Sequence, residues 1–336
     1  MSFDHHQLKD ALLGRLSSVG ANEAWRELHA AGVTSLRIPE ARGGLGLTFA
    51  DAEPVLEALG ELCLPTPFLE TGIIAAGLLA RSPTPEGDVL LEEMARAGAV
   101  VAVAGLESAD HVSALPEGDG WRLRGEARVV VGALAARTLL VAADAGVFLV
   151  DQGAVGLSMR PVATIDGRMA ADVTFAGVEA GSPIAPAFDL ALARDEAVAA
   201  ICVEAAGLMR RLVRDTVDYA KQRRQFDQPL GAFQVVQHRL VDMNIQARRA
   251  SAIARRAVMA IDGDPASRAR MVSAAKVTIC RAGRFVGQSA VQLHGGMGMT
   301  EELPIGRCFK RLTVIEGQLG GADHHLTRFS VTGAAA

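Results

Sequence analysis

The sequence predicts an α+β protein that is mostly α, with an N-terminal helical domain, a middle antiparallel β domain and a C-terminal antiparallel four-helix bundle. Three observations carry this. Aromatic residues are only 4% of the 336, while 50% are hydrophobic and dominated by Ala, Leu and Val, a balance that favours helices packed closely through small side chains. Short β-branched or alternating runs are confined to the stretch between Ala99 and Phe175. Beyond the loop Gly181–Pro186, apolar positions recur three and four apart over long windows.

From residue 5 to residue 97 the chain reads as helices separated by turns: an amphipathic stretch around Trp25, the Gly/Pro break Pro39–Gly46, then helices over Asp51–Leu62 and Leu69–Ala80. Six strand candidates follow, at Val100–Ala104, Trp121–Leu123, Arg128–Val131, Leu139–Ala142, Val147–Val150 and Val173–Phe175. Turn signals such as Glu117-Gly118-Asp119-Gly120 separate them and no helix intervenes, so they fit an antiparallel sheet or barrel and not a dinucleotide-binding βαβ fold. Val198, Ile201, Ala205, Leu208 and Leu212 then mark one buried stripe on a long helix running to about Gln222. Helices near Phe233–Ile261 and Pro265–Leu293, and a shorter one after Thr300, complete the bundle. The expected domain boundaries are 1–97, 98–182 and 183–336.

Lys plus Arg number 34 against 38 Asp plus Glu, a net charge of -4, so no general basic field attracts nucleic acid or an anionic membrane, and neither partner is expected. Cys63, Cys202, Cys280 and Cys308 form no C-x-x-C pair, which argues against a zinc site or a disulfide framework and for a reducing cytoplasm. The N-terminus has no basic region followed by an apolar run, and no stretch approaches the roughly 18 apolar residues of a membrane span. A soluble, cytoplasmic protein is expected.

Two glycine strings, Gly43-Gly44-Leu45-Gly46 and Gly295-Gly296-Met297-Gly298, fit neither a dinucleotide fingerprint nor a P-loop, and taken alone each reads as a turn. His324-His325 lacks a third ligand at metal spacing and reads as a solvated helix end, so no metal is expected. The informative segment runs from Tyr219 to His238. There a helix ends in basic residues, turns at Asp227-Gln228-Pro229-Leu230-Gly231, and re-enters a helix through Phe233-Gln234. An Arg at such a turn can hold a pyrophosphate bidentately, a Phe beside it can cover an aromatic ring, and a Gln can donate to phosphate or heterocycle oxygens. The same composition also suits a plain helix hairpin with a solvated basic end.

Together with Gln292-Leu293-His294-Gly295-Gly296-Met297-Gly298-Met299-Thr300, this segment resembles the acyl-CoA dehydrogenase family, which carries Y-A-x-x-R-x-Q-F-G-x-P-I-x-x-F-Q and Q-x-H-G-G-x-G-x-T at these places. Pro39-Glu40-Ala41-Arg42-Gly43-Gly44-Leu45-Gly46 is similar to the family's P-E-x-x-G-G-x-G, so the resemblance spans nearly the whole chain. It implies FAD as cofactor, an acyl-CoA thioester as substrate, and electron-transfer flavoprotein or a similar acceptor. It also implies removal of an α proton while the β hydrogen leaves as hydride to the flavin. Arg223, Phe226, Gln234, Gln292 and Gly296 are the positions that contact the ADP half of an FAD seated mainly in a neighbouring subunit.

The family's own-flavin half matches poorly. Its T-E-P-x-x-G-S-D is here Ala104-Gly105-Leu106-Glu107-Ser108-Ala109-Asp110 in fragments, and its W-I-T/S-N is Val129-Val130-Val131-Gly132, without indole or hydroxyl. Gapless counting from Gln292 through Arg307 puts Leu319 at the family's base position, where Leu cannot accept a proton. Glu316 imitates the base motif three residues early, nearly one helical turn away, and is expected on a solvated face. The alternative base position falls on Ala197, with Asp195 and Glu196 pointing elsewhere. This split resembles the non-catalytic subunits of hetero-oligomeric acyl-CoA dehydrogenases acting on bulky steroid side-chain thioesters. The leading expectation is a subunit completing FAD binding for a catalytic paralogue. The alternatives are a self-sufficient homo-oligomer, dimer or tetramer, using Glu316 or another displaced carboxylate, and a binding protein that keeps only the fold.

Overall fold

A computed structural model describes residues 5–107, 109–187, 189–300 and 303–334. Five α-helices come first, α1 (His5–Leu16), α2 (Ala21–Ala30), α3 (Glu53–Leu62), α4 (Ala76–Arg81) and α5 (Pro85–Ala97). Seven strands follow: β1 (Val101–Ala104), β2 (His111–Glu117), β3 (Gly120–Val131), β4 (Thr138–Ala143), β5 (Gly146–Asp151), β6 (Leu157–Ala163) and β7 (Met169–Ala180). The long α6 (Asp189–Gln222) leads through the two-residue strands β8 (Arg224–Gln225) and β9 (Gln228–Pro229) into α7 (Gln234–Met259), α8 (Pro265–His294), α9 (Pro304–Gly317) and α10 (Ala322–Ala334). The expected order of helices, strands and long helices holds.

Two compact units result, one of residues 18–52 and 65–197, the other of residues 1–17, 53–64 and 198–336. In the first, β1, β4 and β5 form one sheet and β2, β3, β7 and β6 another, all antiparallel except β1, which runs parallel to β4. Leu123, Phe148, Val173 and Phe175 fill a core common to both sheets. Six strands were expected, and the described residues of this unit form seven. Trp121–Leu123 and Arg128–Val131 are one strand, β3, bent by a register shift between Ala127 and Val130 where Val129 takes φ 50°. The amphipathic edges β2 and β6 carry mostly half-exposed or exposed residues and too few β-branched ones to announce themselves. The expected helix Leu69–Ala80 is a wider π-turn over Phe68–Ala75 that tightens into α4, with every residue from Phe68 to Ala75 buried.

In the second unit, α3 and α6 approach through glycines on both sides. A Cβ on Gly60 would strike the Glu204 carbonyl, and one on Gly207 the Glu57 carbonyl. Arg210 of α6 braces the same crossing by pairing with Glu61 at 2.6 Å, and Lys9 of α1 pairs with Glu57 of α3 at 2.9 Å. Arg311 on α9 and Glu204 on α6, both buried, form a bidentate pair at 2.7 and 2.8 Å that orients α9. Gly44, in the first unit, sits where any Cβ would collide with Ile38, so that glycine string is a tight turn, as read from the sequence.

Candidate functional site

The two informative strings meet. Tyr219, one turn before the end of α6, stacks its ring on His294, the last residue of α8, with centroids 4.2 Å apart. Burial pushes the His294 imidazole below its usual pKa, and its Nδ1–H donates to the Ala290 carbonyl at 2.8 Å. On one side of this contact stands Gln292. On the other is the 3-10 turn Gly295–Met299, in which Gly295 has φ 60° and a Cβ on Gly296 would meet open space.

The expected turn between α6 and α7 begins as a β-hairpin whose tip is Phe226-Asp227. The Arg223 amide donates to Tyr219 at 2.8 Å, and the Leu230 amide donates back to the Arg223 carbonyl at 2.8 Å. Phe226 and Asp227 occupy the tip with φ of 51° and 63°, the left-handed pair that a two-residue hairpin of matching twist requires. Holding a Phe there costs about 1 kcal/mol or more. Phe226 is nonetheless 86% exposed, its ring edge-on to Phe233 at 6.2 Å. Arg223, Phe226, Gln234, Gln292 and Gly296 are all exposed, and among the described residues no carboxylate pairs with Arg223. Nearby, Arg239 of α7 lies over the Phe285 ring of α8 and donates to Ser289 Oγ at 3.4 Å, tying the start of α7 to the end of α8.

At Leu319, where gapless counting leads one to expect the base, the backbone is held on several sides while the side chain is aliphatic. Buried Lys276 donates from Nζ to the carbonyls of Ile315 and Gln318, both at 2.6 Å. His325 Nε2–H donates to the Leu319 carbonyl at 3.0 Å, and Leu319 itself sits at φ 56°. Burial drives His325 down to about 4, so it is neutral. His325, 1% exposed near the start of α10, is therefore no solvated helix end; His324 beside it is exposed. Glu316 is also not simply solvated. Arg284 of α8 grips it with two nitrogens, one to each carboxylate oxygen, on the wall of an open groove of about 990 Å³ that Phe285, Arg281 and His324 also line.

In the other unit, Ala197, Asp195 and Glu196 are all buried. One Glu196 oxygen accepts from Arg37 at 2.6 Å and from Arg81 at 2.8 Å, so this carboxylate is committed to two guanidinium groups. The loop after β1 is built around Asp110, which accepts from the Glu107 amide at 3.3 Å and the Arg128 amide at 2.9 Å. Burial outweighs those bonds and raises its carboxyl. Ser108 lies outside the described residues. At the bulge, Val129 is 46% exposed, and its amide donates to Asp172 at 3.0 Å. Sequence reasoning missed Lys276, Arg284, His325 and the Arg37–Arg81 pair. Lys276 alone carried a signal, a single lysine within a run of small apolar residues on a helix.

The acyl-CoA dehydrogenase N-terminal domain model matches residues 15–88, and the C-terminal domain model matches residues 195–327. Acyl-CoA dehydrogenase FadE27 of Mycobacterium tuberculosis is 30% identical over 94% of this chain and 89% of its own length. FadE28 of the same organism is 29% identical over 97% of both chains. Among solved structures, the Tcur3481-Tcur3483 steroid ACAD superposes with a TM-score of 0.87 at 33% identity, over 98% of this chain and 94% of that one. The ChsE4-ChsE5 complex of M. tuberculosis superposes with a TM-score of 0.89 at 28% identity, over the full length of both chains. The C-terminal match takes in both strings that Tyr219 and His294 join, and the chain belongs to the acyl-CoA dehydrogenase family, oxidoreductases of acyl-CoA thioesters.

Proposed function

We propose that this chain is the subunit of a hetero-oligomeric acyl-CoA dehydrogenase that completes the FAD site of a catalytic paralogue, in the α,β-dehydrogenation of a bulky acyl-CoA thioester such as a steroid side chain. The carrying observation is an asymmetry of side chains. Arg223, Phe226, Gln234 and Gln292 stand exposed, whereas Leu319 stands where gapless counting puts the base, Glu316 is held by Arg284, and one oxygen of Glu196, beside the alternative position Ala197, is held by Arg37 and Arg81. The likeness to a steroid ACAD and to a complex of two differently named proteins favours the same reading.

The donor set suits the ADP half of FAD. Arg223 offers a guanidinium without a protein carboxylate, Phe226 a free aromatic face, Gln234 and Gln292 amide donors, and Gly296 room for close approach. An FAD held there would supply the hydride acceptor for the dehydrogenation. This chain's part is to hold phosphate and adenine and to position the cofactor against its partner. Val129–Gly132 carries neither the indole nor the hydroxyl of the family's flavin strand, and Gly105–Asp110 keeps only fragments of T-E-P-x-x-G-S-D, so the chain's own half does not fit. A dimer of such pairs, electron-transfer flavoprotein or a similar acceptor, a reducing cytoplasm for four free cysteines, and the division 1–97, 98–182 and 183–336 belong to the same proposal. Among the described residues no helix is long and apolar enough to cross a membrane.

Expression of the chain alone tests this by its visible spectrum. It should purify colourless and turn yellow on co-expression with a paralogous acyl-CoA dehydrogenase subunit; a yellow chain alone, near one FAD per molecule, would contradict the proposal. One observation favours a second reading, a self-sufficient homo-oligomer: Glu316 lines a groove roomy enough for a ligand. In that case Glu316→Gln abolishes turnover of the isolated chain with an artificial electron acceptor while FAD stays bound, a loss exceeding about a hundredfold.

A further inference from the structure

Two cysteines far apart in sequence, Cys63 and Cys308, meet where α3, α6 and α9 converge within the second unit. Cys63 closes α3 in the left-handed conformation, φ 51°, its amide donating to the Gly60 carbonyl at 3.0 Å and the Leu64 amide to the Leu59 carbonyl at 3.2 Å. Glycine is favoured at that place in a helix end, so a side chain there is held at a cost. Gly60, one turn earlier, packs on the Glu204 backbone, and the Glu204 carboxylate grips Arg311, one turn after Cys308. The crossing therefore delivers both sulfurs to one place. Arg211 of α6 stands with them, donating to the Glu61 carbonyl at 2.9 Å and lying within range of both thiols. A hydrogen bond between the thiols is the strongest influence on each, holding Cys63 below its ordinary pKa and Cys308 well above it. Arg307 and Arg311 lower Cys63 further, against burial and Glu204. Cys63 is half-buried and Cys308 wholly buried. The other two cysteines differ: both are buried, and burial pushes Cys202 up to about 12 and Cys280 upward too.

We infer that Cys63 and Cys308 are a hydroperoxide-sensitive thiol pair, whose disulfide staples the end of α3 to α9. Half-buried Cys63 is the attacking sulfur, and the guanidinium groups of Arg211, Arg307 and Arg311 favour its thiolate. That thiolate takes one oxygen of hydrogen peroxide as the O–O bond breaks, becoming a sulfenic acid. The other oxygen leaves as hydroxide and takes up the proton that Cys63 released, forming water. The Cys308 sulfur then attacks the Cys63 sulfur, the S–S bond forms, and the sulfenic hydroxyl departs with the Cys308 proton as a second water. Two thiols lose two electrons and one peroxide is reduced to two waters. The buried thiol alongside closes the disulfide before the sulfenic acid can be oxidised further. In a reducing compartment the pair rests as free thiols and closes only under peroxide. Since α9 lies in the chain between the Gly295–Met299 turn and Leu319, the staple fastens the helix that joins them.

The test treats the reduced full-length chain with a small excess of hydrogen peroxide, blocks remaining thiols with N-ethylmaleimide, and maps the peptides by mass without reduction. We expect a Cys63–Cys308 peptide pair lighter by two hydrogens in most chains, Cys202 and Cys280 still reduced, and full reversal by dithiothreitol. Cys308→Ala should halt the reaction at Cys63, leaving a sulfenic acid that dimedone labels, and Cys63→Ala should slow thiol loss about tenfold or more. Cys63 and Cys308 both still blocked by maleimide, after an exposure that oxidises free glutathione in the same tube, overturns the inference. So does a Cys63 sulfinic acid beside a free Cys308, or a Cys63 disulfide joining two chains. The wild-type map decides the matter even if neither variant folds. It requires neither FAD nor a paralogue, so its outcome stands apart from the functional reading.

Discussion

Arg223 concentrates the functional argument at the scale of single residues. Its backbone is pinned on both sides, by Tyr219 and by Leu230, while the guanidinium stays exposed beside Phe226. A charge-assisted contact to pyrophosphate is worth about 1.5 to 3 kcal/mol, so Arg223→Ala should weaken FAD binding by the assembled complex about ten- to a hundredfold with the fold unchanged. Fluorescence titration of the apo-complex with FAD measures this, and unchanged affinity would remove Arg223 from the site. The two strings stood out because each is contiguous in sequence, and the Tyr219–His294 stack joins them. Arg284, Lys276 and His325 did not, since each acts on a partner more than five positions away in sequence, most of them on another helix, and nothing local marks the pairing.

His325 makes a second prediction at the same scale. Its folded pKa of about 4 lies below the ordinary 6.5, so between those values the unfolded chain binds more protons than the folded one. Stability from this group is complete above pH 6.5 and is lost as pH falls toward 4, on the order of 3 kcal/mol in all. Burial lowers His294 as well, which adds in the same direction. Urea unfolding of wild type and His325→Gln from pH 7 to pH 4 checks it. The variant should lose less stability over that interval, and parallel curves would show that His325 titrates normally.

Among the elements, the crossing of α3 and α6 depends on Gly60 and Gly207, which face each other's helix backbone. Gly207→Ala should therefore destabilise the protein by about 1 to 3 kcal/mol despite the better helix propensity of Ala. Gly14 in α1 has nothing within 4 Å of the place an added methyl group would take, so Gly14→Ala should be neutral or slightly stabilising. Thermal melts of the two variants separate close packing from propensity; equal melting temperatures would contradict the close approach. Helices α6, α7 and α8 were legible to within a residue or two because their apolar period runs over many turns. The π-turn at Phe68–Ala75 was not, because a fully buried run has no polar face to reveal its period.

For the whole molecule, the α, β, α order followed from periodicity, but the two compact units did not. Residues 53–64 join the C-terminal helices through ion pairs such as Arg210–Glu61 and through the glycine crossing, and residues 1–17 join residues 53–64 through Lys9–Glu57, contacts that sequence order conceals. The proposed function is a division of labour in which the exposed residues around Arg223 would complete a neighbour's FAD site while the partner supplies the flavin-side contacts and the base. The most direct measurement is the ratio of FAD to protein in the purified complex with its paralogue, from flavin absorbance and amino-acid analysis. The account predicts about one FAD per pair of chains, falling when Arg223→Ala is introduced here; about one FAD per chain, or a ratio indifferent to Arg223, would contradict it.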